Sequence, residues 1–496
     1  MTTESSRESK VFIRDTSIVA ATQILLKLRG LVAMPLIIKL LGAAAFGVWS
    51  QVFAFTSLLA SLLSLNLHLP LIRDIAADRT RASVSFSSVL SVVLTLSLAA
   101  TIGTAVFSTT ISAVILADEA VAKSLRIGAF LIVLTALRSI NMNLYRSLGL
   151  FAKRSVVELV ISFGELLIIV VVLISGGGLT TVLTMIVVWE GLLVTSQTIH
   201  CVHIAGFQRP QKAVILSALR FALPAVPASL SVWILDRIDR FAIGHFLGAD
   251  AVGIYSASYT LGSAIMFFQL PLQVTLFPKV SSLWDTNRSE AKRYIEISSA
   301  VFIAAAIPFG LLLLIASEDL LRLLGDESVA IGNGALPPLI SLGVIFWGVS
   351  TMQMQALLAS RKSVLVAKIT GIGATLNLVM NVVLVPRNGI TGSAIATVVS
   401  YAATCLIFAR TGEADIRVKL WNTFLTRTIV VTIASAAVGL ALTHYSAIAW
   451  IAAFAGVLVY CALQLLLDAF WPASRLTVGG LLSLGSIFRR TRPPAV

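Results

Sequence analysis

The sequence predicts an all-α polytopic membrane protein with about 14 transmembrane helices. Of its 496 residues, 57% are apolar and only 12% are charged, whereas a soluble domain carries about 25% charged residues. The apolar residues form repeated runs of the roughly 20 residues that cross a bilayer as a helix. Lys and Arg recur in every second loop between these runs. Together these observations exclude a soluble enzyme and a secreted domain.

The apolar runs, bounded by charges, Gly or Pro, predict the individual spans. They cover residues 16–41, 46–69, 83–114, 124–146, 155–175, 179–205, 217–247, 251–278, 294–316, 336–359, 364–386, 390–410, 421–444 and 447–470. Pro224, Pro227 and Pro271 fall inside spans 7 and 8, where a missing backbone N–H predicts a bend. Three scattered cysteines without CxxC spacing predict neither a disulfide framework nor a metal site.

The basic loops predict the orientation, because Lys and Arg collect on the cytoplasmic side of a membrane. Basic loops include 73–81, 146–154 and 279–293, whereas Asp118 and Glu119 lie in a loop predicted to face outward. Both termini are therefore predicted to be cytoplasmic. The net charge of +14 reflects this asymmetry, so we expect a lipid bilayer and no nucleic acid as partner.

An internal repeat divides the chain into two halves. The segment LGAAAFGVWS at 41–50 matches LGADAVGIYS at 247–256, and shorter matches recur near the same offset. Because spans 1 and 7 both start in the cytoplasm, we predict two parallel six-helix lobes around a central cavity, a transporter architecture, with two further C-terminal helices. Small residues that recur at any tight turn are the alternative explanation.

The predicted organisation follows from the spans and the repeat. It comprises a cytoplasmic tail at 1–15, an N-lobe at 16–205, a linker at 206–216, a C-lobe at 217–410, a second linker at 411–420, a helix pair at 421–470 and a basic cytoplasmic tail at 471–496.

Three segments carry a resemblance to a known family. They are LGADAVGIY at 247–255, DRIDR at 236–240 and VPRNGITG at 385–392. Over about residues 10–410 the chain resembles polysaccharide transporters, the Wzx-type oligosaccharide flippases of the multidrug/oligosaccharidyl-lipid/polysaccharide exporter superfamily. The resemblance implies alternating access that moves a polyprenyl-pyrophosphate-linked oligosaccharide from the cytoplasmic to the outer leaflet of a bacterial inner membrane. It also implies export of a surface polysaccharide such as O-antigen or exopolysaccharide, beside a polymerase and a chain-length regulator.

Charges at bilayer depth are candidate functional residues, because each costs at least roughly 2.5–3.5 kcal/mol unless it faces a cavity or a partner. The cations are Lys27 and Arg29 in span 1, Arg138 in span 4, and Arg237 and Arg240 in span 7. We interpret them as a cationic cavity for the pyrophosphate, since guanidinium groups bind phosphate oxygens bidentately. The alternative is structural: Lys27 extends toward the cytoplasm, and Arg240 pairs with Asp236 at i, i+4.

Polar side chains in the same spans are candidates for contacts with sugar hydroxyls. They are Asn141, Gln269, Gln273, Asp236 and Asp239. Amides at helical spacing equally make hydrogen bonds between helices.

Two deep carboxylates, Glu165 in span 5 and Glu190 in span 6, are candidates for coupling to a proton, to sodium or to the membrane potential. A static ion pair with Arg138 is the alternative. No cofactor or metal is expected.

Competing functions remain open. A cation-coupled multidrug or metabolite antiporter of the same superfamily is the second hypothesis, although it would favour an acidic cavity. A glycan-assembly enzyme would need catalytic residues in large outer loops. The longest outer loop covers only about 317–335, and the chain contains no HExxH, GxSxG or P-loop motif, so we expect no enzyme.

Overall fold

The computed structural model describes residues 2–116, 121–411, 423–443 and 449–470. Throughout these ranges the regular structure is helical, with no strand, which confirms the predicted all-α class. Asp118 and Glu119, residues 412–420 of the second predicted linker, and the predicted basic tail at 471–496 lie outside the described residues.

The first half of the chain consists of helices joined by short connections. Its helices are α1 (Thr2–Leu41), α2 (Ala43–Leu63), α3 (His68–Ala77), α4 (Ala82–Val106), α5 (Ser108–Ile111), α6 (Val121–Gly128), α7 (Phe130–Ser147), α8 (Phe151–Ile174) and α9 (Leu179–Ala205). Helix α1 begins at Thr2, so the predicted tail at 1–15 continues directly into the first span.

The second half is also helical throughout its described parts. Its helices are α10 (Lys212–Ala222), α11 (Val226–Leu247), α12 (Ala249–Gly262), α13 (Gln269–Trp284), α14 (Arg288–Leu324), α15 (Glu327–Ala330), α16 (Leu336–Ala359), α17 (Ser363–Arg410), α18 (Thr423–Thr443) and α19 (Ala449–Phe470).

Eleven helical segments of the described chain are long and apolar enough to cross a membrane. One of them, α17, covers the predicted spans 364–386 and 390–410 and breaks between them at Gly389, whose φ of 61° lies in the left-handed region. Large apolar side chains such as Val106, Ile174 and Leu192 are 65%, 74% and 66% exposed, as expected where the solvent is lipid. The total of fourteen spans stays a prediction.

Prolines interrupt the predicted spans 7 and 8, as their positions indicated. Pro224 lies in a single 3₁₀ turn, Leu223–Ala225, between α10 and α11, and Pro227 lies in the first turn of α11. Pro271 lies in the first turn of α13, directly after the 3₁₀ segment Ser263–Phe268. Proline is tolerated in a first turn because the backbone N–H there has no partner within the helix.

The helices divide into two compact units. The first unit contains Met1–Leu261, Leu324–Val329 and Val366–Ser400, and the second contains Gly262–Leu323, Ala330–Leu365 and Tyr401–Val496. Phe86, Leu71 and Tyr145 are fully buried in the core of the first unit. These units are defined by contacts between helices, whereas the predicted lobes are defined by the sequence repeat. The lobe layout therefore stays a prediction.

Within the first unit, α2 and α12 make a reciprocal contact through the repeated turn. Gly42 and Gly248, at φ 88° and 84°, end α1 and α11 in the left-handed region that glycine favours. A Cβ on Gly47 would collide with the carbonyl oxygen of Ala249, and a Cβ on Gly253 would collide with that of Ala43. The two helix backbones therefore touch directly. The contact is reciprocal, because Ala43 and Ala249 occupy one position of the repeat, and Gly47 and Gly253 occupy another.

Candidate functional site

One face of α8 carries a polar stripe across its apolar length. Arg154, Glu158, Ser162 and Glu165 follow each other at spacings of four, four and three residues, which places them on one side of a helix. Glu165 is buried, and its side chain is only 2% exposed. The stripe faces polar residues of α1 and α7.

A cavity of about 540 Å³ lies between α1, α7 and α8. Four cationic side chains line it, together with two carboxylates from the stripe of α8. The cations are Lys27, Arg29, Arg138 and Arg154, and the carboxylates are Glu158 and Glu165. The wall thus holds two more formal positive charges than negative ones, which suits an anionic ligand.

Glu165 stands between two arginines of this cavity. Arg29 forms an ion pair with it through Nη1, and the same nitrogen donates to Ser162 Oγ at 3.3 Å. Arg138 Nη1 lies 3.7 Å from Glu165 Oε1 and 3.3 Å from Glu190 Oε1. Arg138 therefore lies at ion-pair distance from two nearly buried carboxylates at once. A buried charge is stable only with such a partner.

Close packing of α8 and α9 brings Glu190 to this cluster. A Cβ on Gly164 would collide with the ring of Trp189, so the indole rests directly on α8. Trp189 Nε1 donates to the carbonyl oxygen of Ile161 at 3.2 Å. Glycine at 164 is thus the reason that the residue after Trp189, Glu190, reaches the same arginine as Glu165.

The sequence reasoning missed Arg154 and Glu158 as members of the site. Arg154 Nε donates to Glu158 Oε1 at 3.0 Å, and Gln23 Nε2 donates to Glu158 Oε2 at 3.5 Å. Arg154 was interpreted as a loop charge that reports orientation. The signal that could have found it is its place in the stripe with Glu158 and Glu165.

The charges of α11 form a separate cluster that does not line the cavity. Arg237 Nε lies 3.1 Å from Asp236 Oδ2, and Asp236 Oδ1 accepts from Tyr259 at 3.2 Å. Arg240 Nη1 donates to Asp239 Oδ1 at 2.7 Å, and its guanidinium lies 4.1 Å from the ring centre of Tyr259. The cationic cavity expected from Lys27, Arg29, Arg138, Arg237 and Arg240 is therefore assembled here by the first three only.

The side-chain pair Asp236–Arg240, considered from the i, i+4 spacing, is not formed. Arg240 Nη1 instead donates to the backbone carbonyl of Asp236 at 2.7 Å and to the carboxylate of its neighbour Asp239. The carboxylate of Asp236 is engaged by Arg237 and Tyr259, and it also attracts Lys27. The long arginine side chain can fold back on its own helix, which spacing alone does not capture.

The predicted amides contact other helices. Asn141 is fully buried and its Nδ2 donates to Thr198 Oγ1 at 2.8 Å, which joins α7 to α9. In the second unit, Gln269 and Gln273 of α13 both donate to Thr351 of α16, the latter at 2.9 Å. These contacts match the interhelical alternative.

Within the described ranges, no group of three or more His, Cys, Asp or Glu side chains is arranged to hold a metal ion. The site consists of a cavity lined by three arginines and a lysine, with the carboxylates of Glu158 and Glu165 beside them.

Comparisons with known proteins indicate the family of this chain. The family model described as polysaccharide biosynthesis protein matches residues 36–327. A probable flippase of Haloferax volcanii, AglR, is 27% identical over 208 residues, which are 41% of this chain and 44% of AglR. Agl15 of the same organism, a probable low-salt glycan biosynthesis flippase, is 25% identical over 217 residues, 43% and 45% of the two chains. The chain thus matches less than half the length of these relatives.

Solved structures share the fold. The lipid II flippase MurJ in an inward closed conformation superposes with a TM-score of 0.72 at 15% identity, over 90% of this chain and 98% of that one. An inward-facing multidrug resistance transporter of the MATE family, in the MOP superfamily, gives a TM-score of 0.63 at 15% identity, over 77% and 92%. The chain therefore shares the fold of these two structures. Because the family model covers more than half of the sequence, the chain belongs to the polysaccharide biosynthesis protein family.

Proposed function

We propose that this protein is a flippase that moves polyprenyl-pyrophosphate-linked oligosaccharide units from the cytoplasmic to the outer leaflet of the bacterial inner membrane. The transport works by alternating access and serves the export of a surface polysaccharide. The prenyl chain stays in lipid, and a polymerase and a chain-length regulator act on the exported unit. Family membership supports this proposal, as do two relatives, one described as a probable flippase and the other as a probable low-salt glycan biosynthesis flippase.

The observation that carries the proposal is the cavity between α1, α7 and α8. Its four cations exceed its two carboxylates, and three of the cations are arginines. Arginine is suited to phosphate because its planar guanidinium presents two parallel N–H groups to two oxygens. Arg29 and Arg138, 23% and 30% exposed, reach the cavity while they are held by Glu165. We assign them the pyrophosphate, with Lys27 and Arg154 beside them.

Coupling belongs to the same site in this proposal. Glu165 and Glu190 both face Arg138, so their negative charges lie close together in a buried place. When Arg29 turns to the cargo, Glu165 and Glu190 are left to share Arg138, and two such carboxylates can then bind a proton or a sodium ion. A cation-coupled antiporter of drugs or metabolites is the second candidate, and we rank it lower because the cavity would repel a cationic drug.

The test is export of surface glycan in a strain in which the gene is deleted and replaced by variants. Arg29→Ala is expected to reduce export by about tenfold or more, since one charge-assisted hydrogen bond contributes roughly 1.5–3 kcal/mol. Prenyl-linked oligosaccharide, measured by mass spectrometry, should accumulate in parallel. Arg322→Ala is the matched control, because Arg322 is an exposed arginine of the second unit that pairs with Glu318 and Asp319.

Normal export by Arg29→Ala, at wild-type protein level, would contradict the assignment of the cavity to the pyrophosphate. Unchanged pools of prenyl-linked glycan after deletion of the gene would contradict the flippase itself and favour the antiporter.

A further inference from the structure

Glu165 occupies the place in the cavity where an anion would bind. Its carboxylate pairs with Arg29 on one side and lies 3.7 Å from Arg138 on the other. It is 2% exposed, yet it contributes to the cavity wall together with both arginines. The two guanidinium groups assigned to the pyrophosphate are therefore already engaged by a carboxylate of the protein.

A carboxylate and a phosphate use the same donors. Each presents two oxygens to the paired N–H groups of a guanidinium, and an arginine has five donors in a fixed planar arrangement. A pyrophosphate that approaches Arg29 from the cavity meets a nitrogen, Nη1, that already donates to Glu165 and Ser162. A pyrophosphate that pairs with Arg29 through Nη1 therefore requires Glu165 to leave.

We infer that Glu165 is a built-in competitor of the cargo, which sets the selectivity of the cavity for the pyrophosphate and drives release of the cargo after transport. This inference rests on the proposed function. An anion of one charge exchanges with Glu165 at no electrostatic gain, whereas a pyrophosphate brings a second charge and can displace it. When the cavity opens outward, return of Glu165 to Arg29 expels the cargo.

The cluster makes this exchange inexpensive. Glu165 does not lose every cation when it leaves Arg29, because Arg138 already lies beside its other oxygen. Arg138 also lies 3.3 Å from Glu190. The carboxylate of Glu165 therefore moves from Arg29 to Arg138, which it shares with Glu190. A buried charge left without a partner would cost several kcal/mol, and this arrangement avoids that state.

Glu158 provides the matched comparison in the same cavity. It belongs to the same stripe of α8 and also pairs with an arginine, Arg154 at 3.0 Å. Its side chain is 17% exposed, and Arg154 is the only arginine at ion-pair distance from it in the described part of the chain. The competition is therefore assigned to Glu165, which has two arginines, and not to Glu158.

The experiment measures binding of two probes to the full-length protein in nanodiscs by isothermal titration calorimetry. The probes are farnesyl pyrophosphate and farnesyl methyl phosphate, a phosphodiester that carries a single negative charge. Glu165→Gln keeps the shape of the side chain and removes its charge. We expect it to bind farnesyl pyrophosphate about tenfold more tightly than the wild type does, equivalent to about 1.4 kcal/mol. Its preference for the pyrophosphate over the singly charged phosphodiester should shrink. Glu158→Gln should change both affinities by less than about twofold.

A second variant guards against misfolding. Glu165→Asp keeps the charge and withdraws it from Arg29 by one methylene group, so we expect a smaller gain in affinity than for Glu165→Gln. In proteoliposomes, Glu165→Gln should flip a fluorescent prenyl-pyrophosphate lipid more slowly despite tighter binding, because release is impaired. Tighter binding together with slower flipping is a result that a merely structural role for Glu165 would not give.

Arg29→Ala separates this inference from the proposed function. If Arg29→Ala binds farnesyl pyrophosphate like the wild type, the phosphate site itself is wrong. If Arg29→Ala loses binding while the folded Glu165→Gln and Glu165→Asp bind no more tightly than the wild type, the phosphate site stands and the competition is refuted.

Discussion

The polar residues of α1, α7 and α8 in the first unit differ in kind from those of α13 and α16 in the second unit. The first group consists of charged side chains around a cavity. The second group is the neutral set of Gln269, Gln273 and Thr351: Gln269 is 1% exposed and donates to Thr351, as Gln273 does. Both groups occur at helical spacing in apolar segments. Charge is what separates them, because a charge at this depth needs a cavity or a counter-charge, whereas an amide is satisfied by a neighbouring helix.

The largest effect on stability is expected at Arg138, which holds the charged region together. Arg138→Ala should lower the free energy of unfolding by about 3 kcal/mol, because the carboxyl group of Glu190, 3% exposed, would stay buried without its arginine. The measurement is a denaturant titration in detergent micelles followed by tryptophan fluorescence. The double variant Arg138→Ala/Glu190→Gln should recover part of the loss, since the unpaired carboxyl group is removed as well.

A double variant no more stable than Arg138→Ala alone would mean that Glu190 does not depend on this arginine. The charged region would then resemble the amide region energetically, and the comparison would fail.

A smaller effect is expected at Gly164, where packing rather than charge places Glu190. Gly164→Val puts a side chain against the ring of Trp189, and overpacking of this kind costs about 1–3 kcal/mol. Gly191→Val is the matched control on the adjacent helix, because a Cβ there meets no atom within 4 Å. The same unfolding titration compares them. Equal stability of the two variants would show that α8 and α9 do not need their close approach.

The smallest effect is expected in the amide region. Gln269→Leu removes the hydrogen bond to Thr351 of α16, and such bonds between membrane helices contribute about 0.6 kcal/mol on average. Unfolding should shift by about this amount, and export of surface glycan should stay at the wild-type level. A loss of export at normal protein level would place Gln269 in the path of the cargo and would remove the distinction between the two regions.

The fold class was predictable because hydropathy is a local property, and so were the interruptions at Pro224 and Pro271. The glycine turns at Gly42 and Gly248 were predictable from the repeat. The need for partners of Lys27, Arg29 and Arg138 also follows from sequence, since isolated charges are costly in lipid. The pairing of Arg138 with Glu165 and Glu190 was one alternative that the sequence offered. The partner of Arg29 was not predicted, because Glu165 is more than a hundred residues away from Arg29 along the chain.

Two features of the site required the structure for different reasons. Arg154 borders a loop, so its charge was assigned to orientation although its spacing to Glu158 predicts a shared helix face. The pairs within α11 depend on side-chain conformation: Arg240 turns to the adjacent Asp239 rather than to Asp236. Spacing rules describe which residues share a face and not how far a flexible arginine reaches.

The contact between α2 and α12 has the symmetry of a homodimer interface. Ala43 contacts Gly253 on one side, and Ala249 contacts Gly47 on the other. In the repeat, Ala43 corresponds to Ala249 and Gly47 corresponds to Gly253. An isologous surface of this kind is self-complementary. A half-length chain with such a turn would therefore already carry the surface through which two copies associate, and fusion of the copies would preserve that surface unchanged. One repeat position, which is Gly47 in the first copy and Gly253 in the second, thus permits both close approaches.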